Sequence, residues 1–243
     1  MRPNNSTLAI LLFLLAGLRA TPQTPVAQTG HMMTFRELLT QRNIELTEPS
    51  LVAALRNPDP HVRSWSALVL AEDKATNAVP AISEALQSET VPEAKAGIAL
   101  ALGQLGDKQG FETLKSMCTG HDSPQYLRVY TTMYLLNLDD ESCLNTIFEV
   151  LQSSTDSGSR VLAFSQLSRF HKLSQDDSQR VIAASFKALS DETPAMRIAA
   201  SRALSARPPD IAVPALQNAI AKEQNEAVKM QMQSSLQHLR EQQ

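Results

Sequence analysis

Apolar positions along this chain fall into two alternating helical patterns, and the pair of patterns recurs about every 32 residues. The first pattern is anchored on a basic residue: Arg63, Lys95, Arg128, Arg160, Arg197 and Lys229, at intervals of 32, 33, 32, 37 and 32. Seven positions after each stands a leucine: Leu70, Leu102, Leu135, Leu167, Leu204 and Leu236. One position before come Val62, Ala94, Leu127, Ser159, Met196 and Val228, and three after come Ser66, Ile98, Thr131, Ala163, Ala200 and Met232. With the basic residue as position 0, positions −1, +3 and +7 share one face of a 3.6-residue helix. That face is small or apolar almost throughout. Each segment therefore predicts a first helix, A, with this face buried.

The second pattern starts about sixteen residues after the basic residue. Val79, Phe111, Leu144, Val181 and Val213 open it. Ile82, Leu114, Ile147, Ala184 and Leu216 continue it three residues later, and Leu86, Cys118, Leu151, Ala188 and Ile220 close it. This spacing predicts an amphipathic second helix, B, in five successive units. Asp59-Pro60, Ser123-Pro124 and Thr193-Pro194 place a capping residue before a helix-opening proline, and Asp156 and Asn225 occupy the same slot without one. Self-similarity at this period predicts an all-α stack of about five helical hairpins. Residues 32–44 and 50–57 read as a leading cap, and a polar, glutamine-rich helix from Asn225 towards Gln243 reads as a trailing one. The fourth unit carries about five extra residues around 171–180, expected as a surface loop.

The second unit reads PEAKAGIALALGQLGD over Pro92–Asp107, and the B segments AVPAISEAL (Ala78–Leu86) and AVPALQNAI (Ala212–Ile220) echo one another. These segments resemble the short bacterial HEAT repeat of the PBS-lyase HEAT-like type, from about Pro49 to the C-terminus. The resemblance implies a right-handed α-solenoid, an α-α superhelix whose B helices line an inner, concave surface used for protein contacts. It also implies that the basic residue pairs with acids between units. Such pairs, if exposed, are worth about 0–1 kcal/mol each.

The N-terminus follows a different pattern. Arg2 precedes an apolar run from Leu8 to Leu18, followed by Arg19-Ala20 and a polar, proline-bearing stretch. A basic start, a short apolar run and a small residue predict a secretory signal over 1–20, a disordered linker over 21–31 and the solenoid over 32–243. The run is too short to cross a bilayer, which takes about 20 residues. Cleavage after Ala20 would take the formal charge from −3 to −5. A mildly acidic solenoid lacks the basic footprint of a nucleic-acid binder.

Candidate chemistry is sparse. His31, His61, His121, His171 and His238 form no pair at metal-ligand spacing, and no metal or cofactor is expected. The acid pairs Asp139-Asp140 and Asp176-Asp177 read as solvated loop neighbours, and no residue stands out as catalytic. In a regular stack, Cys118 and Cys143 sit eight residues out of register on neighbouring parallel B helices. That is about 12 Å along the axis, beyond the roughly 7 Å a disulfide allows between α-carbons, so two free thiols are expected. Trp65 and Tyr130 share position +2, outside the buried stripe, with Tyr126 one turn before Tyr130. They are the candidate partner contacts, since interfaces concentrate energy in such residues. Packing between units is the competing role for them, and Tyr134 at the usually small position +6 is expected to be packed.

Together these features predict a secreted or periplasmic, monomeric, non-catalytic scaffold that binds another protein through its solenoid surface. Nucleic acid and membrane insertion after cleavage are not expected. The alternative implied by the resemblance is a chromophore- or cofactor-handling, lyase-like accessory enzyme.

Overall fold

The structure, a computed structural model, describes residues 33–241. The expected signal and linker, together with His31, lie outside the described residues. Within them the chain is helical, with no strand. A leading cap, α1 (Phe35–Gln41) and α2 (Glu48–Ala54), is followed by paired helices. The pairs are α3 (Pro60–Glu72) with α4 (Val79–Ser88), α5 (Pro92–Gln104) with α6 (Lys108–Thr119), and α7 (Gln125–Asn137) with α8 (Leu144–Ser153). Then come α9 (Ser157–Gln166) with α10 (Gln175–Ala188), α11 (Pro194–Ser205) with α12 (Pro209–Lys222), and a final A-type helix α13 (Glu226–Glu241). The architecture is an α-solenoid of HEAT-like hairpins.

Local chemistry sets the helix starts. Asp59 accepts from the His61 amide at 2.9 Å, Asp156 from Ser159 at 2.6 Å and Asn225 from Ala227 at 3.0 Å, each satisfying an otherwise unpaired first-turn donor. Ser123 and Thr193 do not follow. Pro124 itself holds the cap position of α7, and no side chain caps α7 or α11.

The anticipated stripe forms the interior. All six +7 leucines are buried, five of them completely and Leu236 to 8% exposure, and every +3 residue is buried. Of the −1 residues only Ser159, the one polar member, is part-exposed. The core is built as each unit covers its neighbour. α3 and α5 pack closely, as do α9 with α11 and α11 with α13, whereas α5 and α7 touch much less, and so do α7 and α9.

Positions +2 and +6 account for that difference, because they face the preceding A helix. In α5 they are Gly97 and Ala101, and a methyl group at Gly97 would overlap the Ser64 hydroxyl of α3. In α11 they are Ala199 and Ala203. In α7 they are Tyr130 and Tyr134, and in α9 Leu162 and Gln166. Side-chain size at the contact sets the distance between helices, so the tyrosines hold α7 away from α5. Tyr134 is packed as expected, and burial pushes its phenol up to about 12.

The two cysteines correct the expectation of free thiols. Cys118 and Cys143 form a disulfide, with α-carbons 6.5 Å apart. The 12 Å offset assumes units stacked in step, and this pair of units is out of step. Cys143 is the residue before α8 rather than part of it. The start of α8 lies beside the end of α6, where the Thr146 hydroxyl donates to the Cys118 carbonyl at 3.0 Å.

The fourth-unit insertion also differs from a plain loop. Residues 175–180 are helical and lengthen α10 by more than a turn, so Asp176 and Asp177 stand in its first turn rather than in a loop. The Ser174 hydroxyl accepts from the Asp177 amide at 3.1 Å, which starts the helix early. The remaining loop is held from both sides. Glu141 accepts from the amides of His171 and Lys172 at 2.9 and 2.8 Å, and the buried Arg207 donates to the carbonyls of Leu167 and Phe170 at 3.1 and 2.7 Å.

Candidate interaction surface

The three aromatic candidates separate into two settings. Trp65 is only 7% exposed. The Arg42 guanidinium lies 4.5 Å from its ring centre, and the His61 ring stacks at 5.5 Å. It serves to seat the leading cap on the first unit. Tyr126 and Tyr130 lie together on α7, edge to face with ring centres 6.4 Å apart. Tyr126 is 40% exposed, and Tyr130 is half-buried. The Tyr126 hydroxyl donates to Glu93 at the start of α5, and this bond together with burial pushes its phenol upward. The structure thus brings Tyr126 and Tyr130 together and leaves Trp65 beneath the cap.

The A-helix arginines do not project as contact residues. Arg63 donates to both oxygens of Glu89 at 2.7 and 2.8 Å and to the carbonyls of Asn57 and Pro58. Arg197 repeats the arrangement on Glu223, Asp191 and Glu192. Arg160 reaches Asp191 at 3.4 Å. Their carboxylate acceptors stand at position −6 of the following unit, a site the sequence carries as Asn57, Glu89, Asp122, Ser154, Asp191 and Glu223. In every copy but Asp122, the −6 side chain also accepts from the amide two residues on, at 2.8–3.2 Å. One acid therefore shapes the inter-unit turn and receives the arginine of the unit before. The acid side chains of Glu89 and Glu223 are 1% and 5% exposed, so these inter-unit pairs are not of the exposed, weakly stabilising kind. Arg128 is the exception. It caps the end of α6 through the Cys118 carbonyl at 2.9 Å and pairs with Glu149 instead.

This geometry gives a pH dependence with a definite sign. Burial pushes the Glu89 carboxyl up, but the Arg63 guanidinium and the Val91 amide outweigh it and hold the group below the ordinary carboxylate range. Arg197 does the same for Glu223, against a smaller opposing effect of burial. Groups whose folded pKa is depressed stabilise the fold above their unfolded pKa, about 4.3 for glutamate, and that contribution is lost as pH falls through the folded value. Urea midpoints measured from pH 7 to pH 3 are expected to fall below about pH 4, and to fall less steeply in Glu223→Gln. An equal slope in the variant would contradict this assignment.

Two shallow grooves flank the stack. One, about 440 Å³, lies between α2 and α4 over Val52, Leu55, Ala81 and Ala85, with Arg56 and Glu84 paired across it at 3.0 Å. The other, about 530 Å³, lies between α12 and α13 over Ile220, Ala221 and Leu236. Among the described residues, no group of His, Cys, Asp and Glu side chains could hold a metal ion, and no helix is long and apolar enough to cross a membrane. His61, His121, His171 and His238 are exposed at separate places along the chain.

A family model described as HEAT repeats matches residues 48–128, which span α2 to the start of α7. No curated protein matches the chain. Two crystal structures of engineered proteins from the Northeast Structural Genomics Consortium are similar to it. One is 20% identical, covering 80% of this chain and 96% of its own, with a TM-score of 0.47. The other is 18% identical, covering 80% and 98%, with a TM-score of 0.49.

Proposed function

We propose that this HEAT-repeat chain is a non-catalytic scaffold that binds another protein through its solenoid surface in an extracytoplasmic compartment. The observation that carries the reading is the use made of its polar side chains. The strongest charged groups, Arg63 with Glu89 and Arg197 with Glu223, are spent on joining units. What the stack offers outward is a mixed-charge surface with few large apolar side chains, Tyr126, Phe186 and Met230 among them. Large exposed apolar residues on such a surface mark contacts, and Tyr126, beside Tyr130, is the contact candidate on the A-helix side. The Cys118–Cys143 disulfide supports an oxidising compartment, in keeping with the apolar segment at Leu8–Leu18.

The test is affinity capture of the exported chain, wild type beside Tyr126→Ala, followed by titration of the captured protein. The expected result is one stoichiometric partner whose affinity falls at least about tenfold in the variant, as for an interface hot spot, while thermal melting is unchanged. Repeated failure to retain any protein, with the fold intact, would argue against the scaffold reading. An unchanged affinity would move the contact away from Tyr126.

A further inference from the structure

We propose that the junction between the second and third units is a hinge whose setting is fixed by oxidation of Cys118 and Cys143. The inference concerns the junction itself and stands whether or not the scaffold reading holds.

The two layers of the stack are joined differently here. On the A-helix side α5 and α7 meet near their ends. Tyr126 binds Glu93 at one end, and Leu138 covers Gly103 at the other, with Tyr130 and Tyr134 between them as spacers. Close approach at a glycine, made mid-helix by Gly97 on Ser64 one unit earlier, is made here at the helix end, by Leu138 on Gly103. A core cluster that begins at Val129 of α7 draws its other members from the α8–α11 region. At this junction the earlier unit carries Lys95 in place of an arginine, and Arg128 of the third unit turns back to the Cys118 carbonyl.

On the B-helix side the hydrogen bonds and the covalent link converge on residue 118. Its carbonyl accepts from Arg128 and from Thr146, both of the third unit, and its sulfur is bonded to Cys143. α6 also packs closely along α7, so that contact is the pivot, and one covalent bond and two hydrogen bonds fix its setting. Cys118 and Cys143 are 0% and 3% exposed, so the bond closes as the third unit seats against the second. Closure joins the two sulfurs and releases two protons and two electrons. A disulfide-bearing oxidant of the compartment takes them by thiol–disulfide exchange and leaves as two thiols. In the reduced chain the A-side spacers leave the first two units free to change angle against the rest. The locked geometry then belongs to the oxidised form.

The full chain provides the test, oxidised and after treatment with a small-molecule dithiol, beside Cys118→Ser/Cys143→Ser. Peptide mapping should find Cys118 and Cys143 linked in the oxidised protein. Amide exchange should then accelerate at least tenfold on reduction within residues 119–146, and by less than twofold in α3 and α11. Energy transfer between dyes on azide-bearing residues at Gln87 and Gln217 should change in parallel, with helix content kept. The double variant should match the reduced wild type. Free thiols in the oxidised chain would overturn the proposal, as would exchange and transfer that ignore reduction. Acceleration along the whole chain would overturn it too, by making the bond a staple of global stability rather than a lock on one joint. Loss of partner capture in both redox states would bear on the scaffold reading and not on the hinge.

Discussion

Arg63→Met is expected to lower the unfolding free energy by about 3–5 kcal/mol, the range for removing one member of a buried ion pair. The reason lies in what the substitution leaves behind. Glu89 has a side chain 1% exposed and keeps only the Val91 and Thr90 amides among its partners, so its charge is stranded in a site built around a guanidinium. The carbonyls of Asn57 and Pro58 lose a donor at the same time. Urea denaturation, followed by helix content, measures the effect. Two controls isolate the cause. Arg56→Met removes an arginine whose partner Glu84 is 65% exposed, and should cost no more than about 1 kcal/mol. Arg63→Met/Glu89→Met should recover much of the loss, because a buried pair replaced by apolar groups is often nearly neutral. A single variant no worse than Arg56→Met would mean that Glu89 finds water or another partner, and that the link is ornamental.

The −1, +3 and +7 positions are legible in the sequence because burial tolerates a narrow set of side chains there, and six copies average out exceptions such as Ser159. The link through position −6 is equally present, as Asn57, Glu89, Asp122, Ser154, Asp191 and Glu223. It is hard to see because a polar residue between helices looks like ordinary loop. It gains meaning once Arg63 and Arg197 are found reaching 26 residues forward to it. The disulfide is concealed for the opposite reason: the regularity of the repeat hides it. Extrapolating an ideal register separates Cys118 from Cys143, whereas the start of α8 lies beside the end of α6. For the contact surface the aromatic side chains are found by type alone. Only the structure distinguishes Tyr126, part-exposed, from Trp65, covered by Arg42 of the leading cap.

A matched pair of leucine truncations is expected to read out the stack itself. Leu135→Ala should destabilise by about 2–5 kcal/mol, from lost burial and the cavity left among neighbours. Its side chain is 0% exposed, in a helix with units on both sides. Leu236 holds the same repeat position in α13 but is 8% exposed and borders the groove between α12 and α13. Truncation there widens a groove already open to water, so less cavity is created, and Leu236→Ala should fall near the lower end of the same range. In a repeat array stability is a sum of units and nearest-neighbour interfaces. The two variants should therefore differ in where they act as well as in size. Amide exchange in Leu236→Ala should quicken in α12 and α13 and leave α3 to α5 near wild type, while Leu135→Ala should loosen the units on either side of α7. Equal losses, spread evenly along the chain in both variants, would describe one indivisible globule, and the nearest-neighbour picture would fail.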